Sequence, residues 1–202
     1  DYVDCGNSMS IDLANSDFTI EGWFKRNSLD GGMTENDELI SKHTSIPDRA
    51  SYDIFFGHPH FDNILKNRFT YNDGQWMTIS FNVVTTTNVW YHFALVRSGN
   101  GIYAYFDGIY RSQGDLTGKT IDSVANSPLL IGARDIGNNP FNGIIDEVAI
   151  YNRALSAEEV QQHYQNGLQG IGYCQQVEID VDVDSDNNNG VNSPDRSNTE
   201  DS

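Results

Sequence analysis

The chain has 202 residues and a formal net charge of −17, from 29 acidic and 12 basic side chains. No cluster of lysine and arginine could follow a phosphate backbone, which argues against nucleic acid and anionic membranes as partners, and no apolar run approaches the roughly 20 residues that membrane insertion requires. Because residues 178–202 hold eight acidic residues and a single arginine, we predict a folded domain at 1–176 followed by an acidic, Asp/Asn-rich linker or tail at 177–202.

The first strands of the folded domain show the alternation of a half-buried β-strand. FTIEGWFK, residues 18–25, places Phe18, Ile20 and Phe24 on one face, and WYHFALVR, residues 90–97, places Tyr91, Phe93 and Leu95 on one face. Large aromatic side chains of β-proteins are most often buried, so we also expect Trp23 and Trp90 in the core. Further strands at LIS, SYDIFF, RFTY, MTISF and LLIG bring the total to about ten, which predicts an all-β antiparallel sandwich.

A hairpin and one helix complete the predicted elements. In IYAYFDGIYR, residues 102–111, the pair Asp107-Gly108 suits a tight turn with positive φ between two strands. In RALSAEEVQQHYQNG, Ser156 and Glu159 form a capping box, and Leu155 and Val160 stand at the positions of a hydrophobic staple. Gly167 is the predicted stop of this helix, which follows the last long strand, FNGIIDEVAIY.

Several of these motifs, in this order, resemble a known family. FTIEGWFK, ELISK, WYHFALVRSGNGIYAYFDG, SPLLIGAR and FNGIIDEVAIYNRALSAEEV are similar to the bacterial LamG-like jelly-roll group, the laminin-G-like domains of the concanavalin A-like lectin and glucanase superfamily. The resemblance covers roughly residues 1 to 170. It implies a two-sheet jelly roll whose N- and C-terminal strands lie side by side.

The two cysteines, Cys5 and Cys174, are too far apart in sequence for a redox or zinc motif. We predict a disulfide between them, which the adjacency of terminal strands implied by the resemblance would permit. The alternative is two unrelated buried thiols.

The resemblance leaves the function open, because the same sandwich serves lectins, glycosidases, adhesion modules and spacers. FFGHPHFDNILKNRFTYNDGQW, residues 55–76, is rich in aromatic and polar side chains. Aromatic rings stack on sugar rings while polar groups bind hydroxyls, so we predict a carbohydrate-binding surface, with Trp76 the most exposed. Its candidate residues are Trp76, Tyr71, Arg68, Phe56, His58 and His60. A metal triad of His58, His60 and Asp62 is the alternative.

Asp146 is the candidate metal ligand of the folded domain. Alternation puts it on the same face as Ile144, Val148 and Ile150, where an ionised carboxylate needs a cation or several hydrogen bonds. The resemblance implies a structural calcium ion near such an aspartate, with Asp12 and Asp17 as possible further ligands. The alternative is a carboxylate satisfied by backbone N–H groups.

The acidic tail admits three interpretations. Glu178, Asp180 and Asp182 imitate the catalytic strand of a glucanase, but they follow the closed sandwich and no aromatic residue lies beyond Tyr173 to bind a sugar. Oxygen-bearing side chains spaced nearly as in a calcium loop are the second interpretation, a solvated linker the third. The candidate calcium ligands are Asp184, Asp186, Asn188, Asn192 and Asp195.

Together these patterns predict a non-catalytic, lectin-like or adhesion module that binds a glycan or polysaccharide. We expect it to be part of a secreted or cell-surface bacterial protein with other domains on the same polypeptide. A purely structural spacer and, further away, a glycoside hydrolase are the alternatives.

Overall fold

The computed structural model describes residues 1–14, 16–29, 37–45, 47–57, 64–134 and 140–173. It contains eleven strands, a short 3₁₀ turn at Met9–Ile11 and one α-helix within that part of the chain. The bounds are β1 Val3–Asp4, β2 Phe18–Arg26, β3 Asp37–Ser45, β4 Asp48–Phe56, β5 Leu65–Thr70, β6 Trp76–Ser80, β7 Trp90–Ser98, β8 Gly101–Phe106, β9 Ile109–Asp115, β10 Leu129–Ile131, β11 Gly143–Tyr151 and α1 Ala157–Leu168.

The strands form two antiparallel sheets that pack face to face. One sheet has six strands in the order β1-β10-β3-β4-β5-β6, and the other has five in the order β11-β2-β7-β8-β9. The predicted all-β jelly-roll sandwich with one C-terminal helix is confirmed. Among the described residues, α1 is the only α-helix, and none is both long and apolar enough to cross a membrane.

The core lies between the two sheets and follows the predicted alternation. Phe18, Ile20 and Phe24 of β2 are at most 1% exposed and belong to one apolar cluster with Phe93 and Leu95 of β7. Each such side chain contributes about 2 kcal/mol through removal of its surface from water. The sequence pattern therefore identified the inward face of both central strands correctly.

The outward face of the five-stranded sheet is also buried, because α1 covers it. Ala94 and Val96 of β7 form a second apolar cluster with Leu155 and Val160, the two residues of the predicted hydrophobic staple. The capping box is confirmed: the Ser156 side chain accepts from the N–H of Glu159, and the Glu159 side chain accepts from the N–H of Ser156. This cap and the apolar contact together fix where the helix begins.

The predicted stop at Gly167 is wrong, because α1 continues to Leu168 and the positive φ of 72° falls at Gly170. Gly167 serves a different purpose. A Cβ atom at this position would lie 2.4 Å from Cζ2 of Trp23. Glycine therefore allows the helix to approach β2 closely, and Trp23 is buried beneath α1, stacked on Tyr164, instead of between the sheets. Trp90, expected in the core, is 39% exposed.

The hairpin between β8 and β9 matches its prediction. Asp107 and Gly108 have φ values of 51° and 72°, the conformation of a two-residue turn that matches the twist of its strands.

The terminal strands depart in part from the expectation. The first long strand, β2, pairs with the last strand, β11, whereas the two-residue β1 pairs with β10 in the other sheet. Cys5 is exposed directly after β1, and Cys174 lies outside the described residues. The disulfide between them stays a prediction.

Candidate functional site

The outer face of the six-stranded sheet carries a row of polar side chains fixed by strand register. Ser41 of β3 pairs with Asp53 of β4, Asp53 pairs with Arg68 of β5, and Arg68 pairs with Thr78 of β6. Paired residues of antiparallel strands point to the same side of a sheet. Four strands therefore bring one continuous polar row together.

Asp53 is the anchor of this row. Its carboxylate has no exposed surface, and it accepts a hydrogen bond from Ser41 Oγ at 2.8 Å and one from Arg68 Nη2 at 2.7 Å. Burial lowers the pKa of Arg68, but the charge of Asp53 and its hydrogen bond outweigh burial and raise it. The guanidinium group is thus held charged and in one position.

A second group of charges lies beside Arg68. The Asp48 carboxylate accepts from Arg134 Nη2 at 2.8 Å, and its Oδ1 is 2.7 Å from His43 Nε2 and 3.7 Å from Arg68 Nη2. Burial raises the pKa of Asp48, but the hydrogen bond to His43 and the charges of the two arginines lower it overall. The Asp48 side chain remains 53% exposed, so it stays open to a hydrogen-bond donor from outside.

A cavity of about 400 Å³ opens next to these charges. His43 and Arg134 form one part of its wall, and Ser127, Pro128 and Leu130 form another. This volume falls within the range of small-molecule and sugar-sized sites.

Trp76 completes the surface at its far side. It is the first residue of the edge strand β6 and is 65% exposed, which confirms the prediction of an exposed tryptophan. The guanidinium carbon of Arg68 lies 5.9 Å from the centre of its ring, within the range of a cation–π contact. We call Trp76, Arg68, Asp53, Asp48, His43 and Arg134 the arginine–tryptophan surface.

Of the four predicted carbohydrate-binding residues that the structure describes, Trp76 and Arg68 come together here. The expected exposure of Tyr71 is wrong: it is 7% exposed, because it bridges to Ile121 and packs into the core. Phe56 is fully buried, since the alternation of β4 turns it inward. His58 and His60, and Asp62 of the alternative metal triad, lie outside the described residues.

Four residues of the surface were missed by sequence reasoning, namely Asp53, His43, Asp48 and Arg134. His43 ends up beside Arg134 although 91 positions separate them, and Asp48 joins them from the start of β4. Nothing in the local sequence marks these positions. The order β10-β3-β4 in the sheet, which brings them together, was not predicted.

Asp146 does not lie where the alternation placed it. β11 contains a bulge between Asp146 and Ala149, with Glu147 at a φ of 48°, so the side-chain pattern shifts by one residue. Val148 and Ile150 pack against the core as expected, but Asp146 pairs with Trp23 on the outer face and is exposed. Its Oδ1 accepts from the N–H of Glu147 at 2.9 Å, and water can satisfy the rest.

The other predicted metal ligands do not assemble within the described part of the chain. Asp17 accepts from the N–H of Gly99, and Asp12 contacts the Ser123 hydroxyl. No group of three or more histidine, cysteine or acidic side chains suited to a metal occurs in the ranges that the structure covers. The tail residues Glu178, Asp180, Asp182, Asp184, Asp186, Asn188, Asn192 and Asp195 lie outside those ranges, and calcium binding there stays a prediction, as does the boundary at residue 176.

A family profile described as the concanavalin A-like lectin/glucanases superfamily matches residues 1–161. A search of curated protein sequences finds no significant match to the chain.

Several solved structures are similar to this chain in fold. The binding domain of Paraclostridial Mosquitocidal Protein 1 superposes with a TM-score of 0.63 at 22% identity, covering 82% of this chain and 41% of that one. The binding domain of botulinum neurotoxin serotype G gives 0.61 at 14% identity, covering 82% and 40%. Domain 4 of a GH43 extracellular arabinanase from Geobacillus stearothermophilus, in complex with arabinotriose, gives 0.54 at 20% identity, covering 75% and 68%. At these identities the likeness is one of fold.

Proposed function

The chain belongs to the concanavalin A-like lectin/glucanase superfamily, and we propose that it is a non-catalytic binding module that takes up a carbohydrate chain on its arginine–tryptophan surface. The observation that carries the proposal is the exposed Trp76 beside an arginine held rigidly by a buried aspartate. A planar ring stacks on the C–H face of a sugar, and a fixed guanidinium donates to its hydroxyls.

The remaining groups of the surface suit the same ligand. Asp48 offers an exposed acceptor and Arg134 an accessible donor. A ligand hydroxyl therefore finds a partner whether it donates or accepts the hydrogen bond. Because Arg68 and Arg134 both already contact Asp48, these three side chains lose little further conformational freedom when a ligand binds.

The same pairing supports binding without catalysis. A glycosidase needs one carboxyl group whose pKa is raised so that it can donate a proton. The pKa of Asp48, the exposed carboxylate of this surface, is lowered instead.

Several structural neighbours support the proposal by their described roles. The mosquitocidal and neurotoxin domains are binding domains, and the arabinanase domain was solved with an arabinose oligomer. By analogy, we propose that this module belongs to an extracellular or cell-surface protein with other domains. Binding of the module to its ligand would direct those domains to a target.

A glycan array followed by titration calorimetry of the best ligand tests the proposal. Trp76→Ala should weaken binding at least about tenfold, which corresponds to roughly 1.4 kcal/mol. Its melting temperature should stay close to that of the wild type, because the ring is mostly exposed.

Trp90→Ala is the matched control, since it removes another partly exposed tryptophan on the opposite sheet. It should leave glycan affinity unchanged. Equal losses in both variants, or a wild type that retains no glycan, would contradict the proposal and favour a structural spacer.

A further inference from the structure

A second cavity adjoins the one beside the arginine–tryptophan surface and is not part of the site described above. It has a volume of about 450 Å³. Thr44, Pro47 and Arg49, where β3 turns into β4, form one wall, and the loop of residues 122–127 forms the other. Thr44 and Ser127 line both cavities, so the two adjoin along a shared wall. We call the second one the distal cavity.

Two buried side chains hold the loop that forms one wall of the distal cavity. Ser51 Oγ donates to the carbonyl oxygen of Asp122 at 2.9 Å and accepts from the N–H of Val124 at 3.0 Å. At the other end of the loop, Lys42 Nζ donates to the carbonyl oxygen of Ser127 at 2.7 Å. Ser51 and Lys42 are at most 1% exposed. The loop therefore needs little further ordering when a ligand enters the cavity.

The distal cavity carries groups that suit hydroxyls. The amide of the exposed Asn126 can donate and accept hydrogen bonds, and the hydroxyl of Ser123, which contacts Asp12, can still accept one. Arg49 adds a guanidinium group on a side chain that is 34% exposed. Among the described residues, those that line this cavity include no aromatic ring. Hydrogen bonds, instead of the stacking that Trp76 offers, would therefore hold a sugar here.

The charges along both cavities and the adjoining surface are balanced. Three arginines each form an ion pair with a carboxylate, namely Arg49–Asp122, Arg134–Asp48 and Arg68–Asp53. An anionic sugar would have to compete with these carboxylates, and the net charge of −17 would repel it at longer range. An uncharged sugar meets fixed donors and acceptors without separating any of the pairs.

From these observations we propose that the module binds several consecutive units of an uncharged glycan chain, one stacked on Trp76 and a later one in the distal cavity. Each cavity alone lies toward the lower end of the range of roughly 300 to 1,000 Å³ for small-molecule sites, so the two together have room for more than one sugar. This inference rests on the proposed function, because it extends the same binding site.

A glycan array that carries series of increasing chain length tests the inference. Its uncharged series are glucose, xylose, mannose and arabinose oligomers of two to six units, and galacturonic acid oligomers of the same lengths are the charged series. In any uncharged series that the wild type retains, the hexamer should bind at least about tenfold more tightly than the dimer, since each further unit adds hydrogen bonds. The charged series should bind more weakly at every length.

Two variants of the loop separate the distal cavity from the rest of the site. Ala125 is exposed and lines the cavity, so Ala125→Trp should fill it and reduce the advantage of the hexamer over the dimer to less than about threefold. Asn126→Ala, which removes the amide without adding bulk, should lower the same ratio by at least about twofold. Gln165→Trp is the matched control, because it adds a tryptophan to the exposed side of α1 on the other sheet, and it should keep the wild-type ratio.

Equal affinities of the wild type for hexamer and dimer, an unchanged ratio in both loop variants, or a preference for the charged series would each overturn this inference. Glycan binding by the arginine–tryptophan surface would still stand after any of these results. A wild type that retains no glycan would instead overturn the proposed function, and this inference with it.

Discussion

The two sheets of the sandwich differ in how far their outward residues are buried. On the five-stranded sheet, α1 covers the outward side chains, so Glu21 and His92 are fully buried next to apolar Ala94. On the six-stranded sheet, Trp76 and Asp48 remain exposed at the surface, and Arg68 is held by ion pairs. α1 thus covers one outward face, whereas the other buries Asp53 but keeps exposed side chains that can receive a ligand.

The largest expected effect concerns a link between these two sides. Cys5 follows β1 of the six-stranded sheet, whereas Cys174 follows Tyr173, whose ring packs against His163 of α1. If the two cysteines form a disulfide, closing a loop of this length contributes about 5 kcal/mol in the chain-entropy model. Cys5→Ser should then lower the stability of the oxidised protein strongly. Mass spectrometry of the unreduced chain checks the bridge itself, and two alkylatable thiols would contradict it.

The next prediction tests what fixes Arg68 on the outer face of the six-stranded sheet. Asp53→Ala removes the buried partner of Arg68. Within the described part of the chain, the guanidinium then keeps the longer contact with Asp48, at 3.7 Å, and the charge of Glu38. We expect a loss of about 3 kcal/mol in the free energy of unfolding, measured by chemical denaturation. Asp48→Ala is the control and should cost less than about 1 kcal/mol, since its carboxylate is half exposed. Similar losses of unfolding free energy in both variants would show that the buried Asp53 is not what fixes Arg68 in position.

The smallest effect is a pH dependence confined to the covered face. His163 Nδ1 lies 2.8 Å from Glu21 Oε1, and this hydrogen bond raises the pKa of His163 although burial lowers it. A raised pKa in the folded state means that the stabilisation is complete below the unfolded value of about 6.5 and is lost as pH rises through the folded value.

The free energy of unfolding should therefore decrease from mildly acidic to mildly alkaline pH. His163→Gln should remove that part of the slope while the wild type keeps it, as measured by denaturation at a series of pH values. A variant with the same slope as the wild type would assign the effect to other groups.

Local patterns predicted the parts of the fold that local forces determine. The inward faces of β2 and β7, the Asp107-Gly108 turn and the Ser156–Glu159 capping box each depend on residues close in sequence, and each is confirmed. The family resemblance predicted the sandwich. The helix was also predicted, but not which face of the sandwich it covers. Trp90 was expected in the core because large aromatic side chains are most often buried, but it lies on the outward face of β7 and is 39% exposed.

The candidate site was harder to predict because it depends on strand order, and the position of Asp146 was harder because it depends on one irregularity. His43, Asp48 and Arg134 meet only when β10, β3 and β4 are neighbours. The bulge in β11 uses Glu147 at a positive φ, where glycine or asparagine would be the usual signal. A strict alternation therefore turned Asp146 to the wrong side.

The pairing of β2 with β11 also affects how the protein is made. The ribosome must synthesise the chain from Arg26 to Gly143 before these two strands can begin to pair, and α1 emerges later still. At typical synthesis rates of about 5 to 20 residues per second, this delay is on the order of ten seconds. During that time one hydrogen-bonding edge of β2 lacks its final strand partner, and an unpaired strand edge makes a nascent chain prone to aggregate.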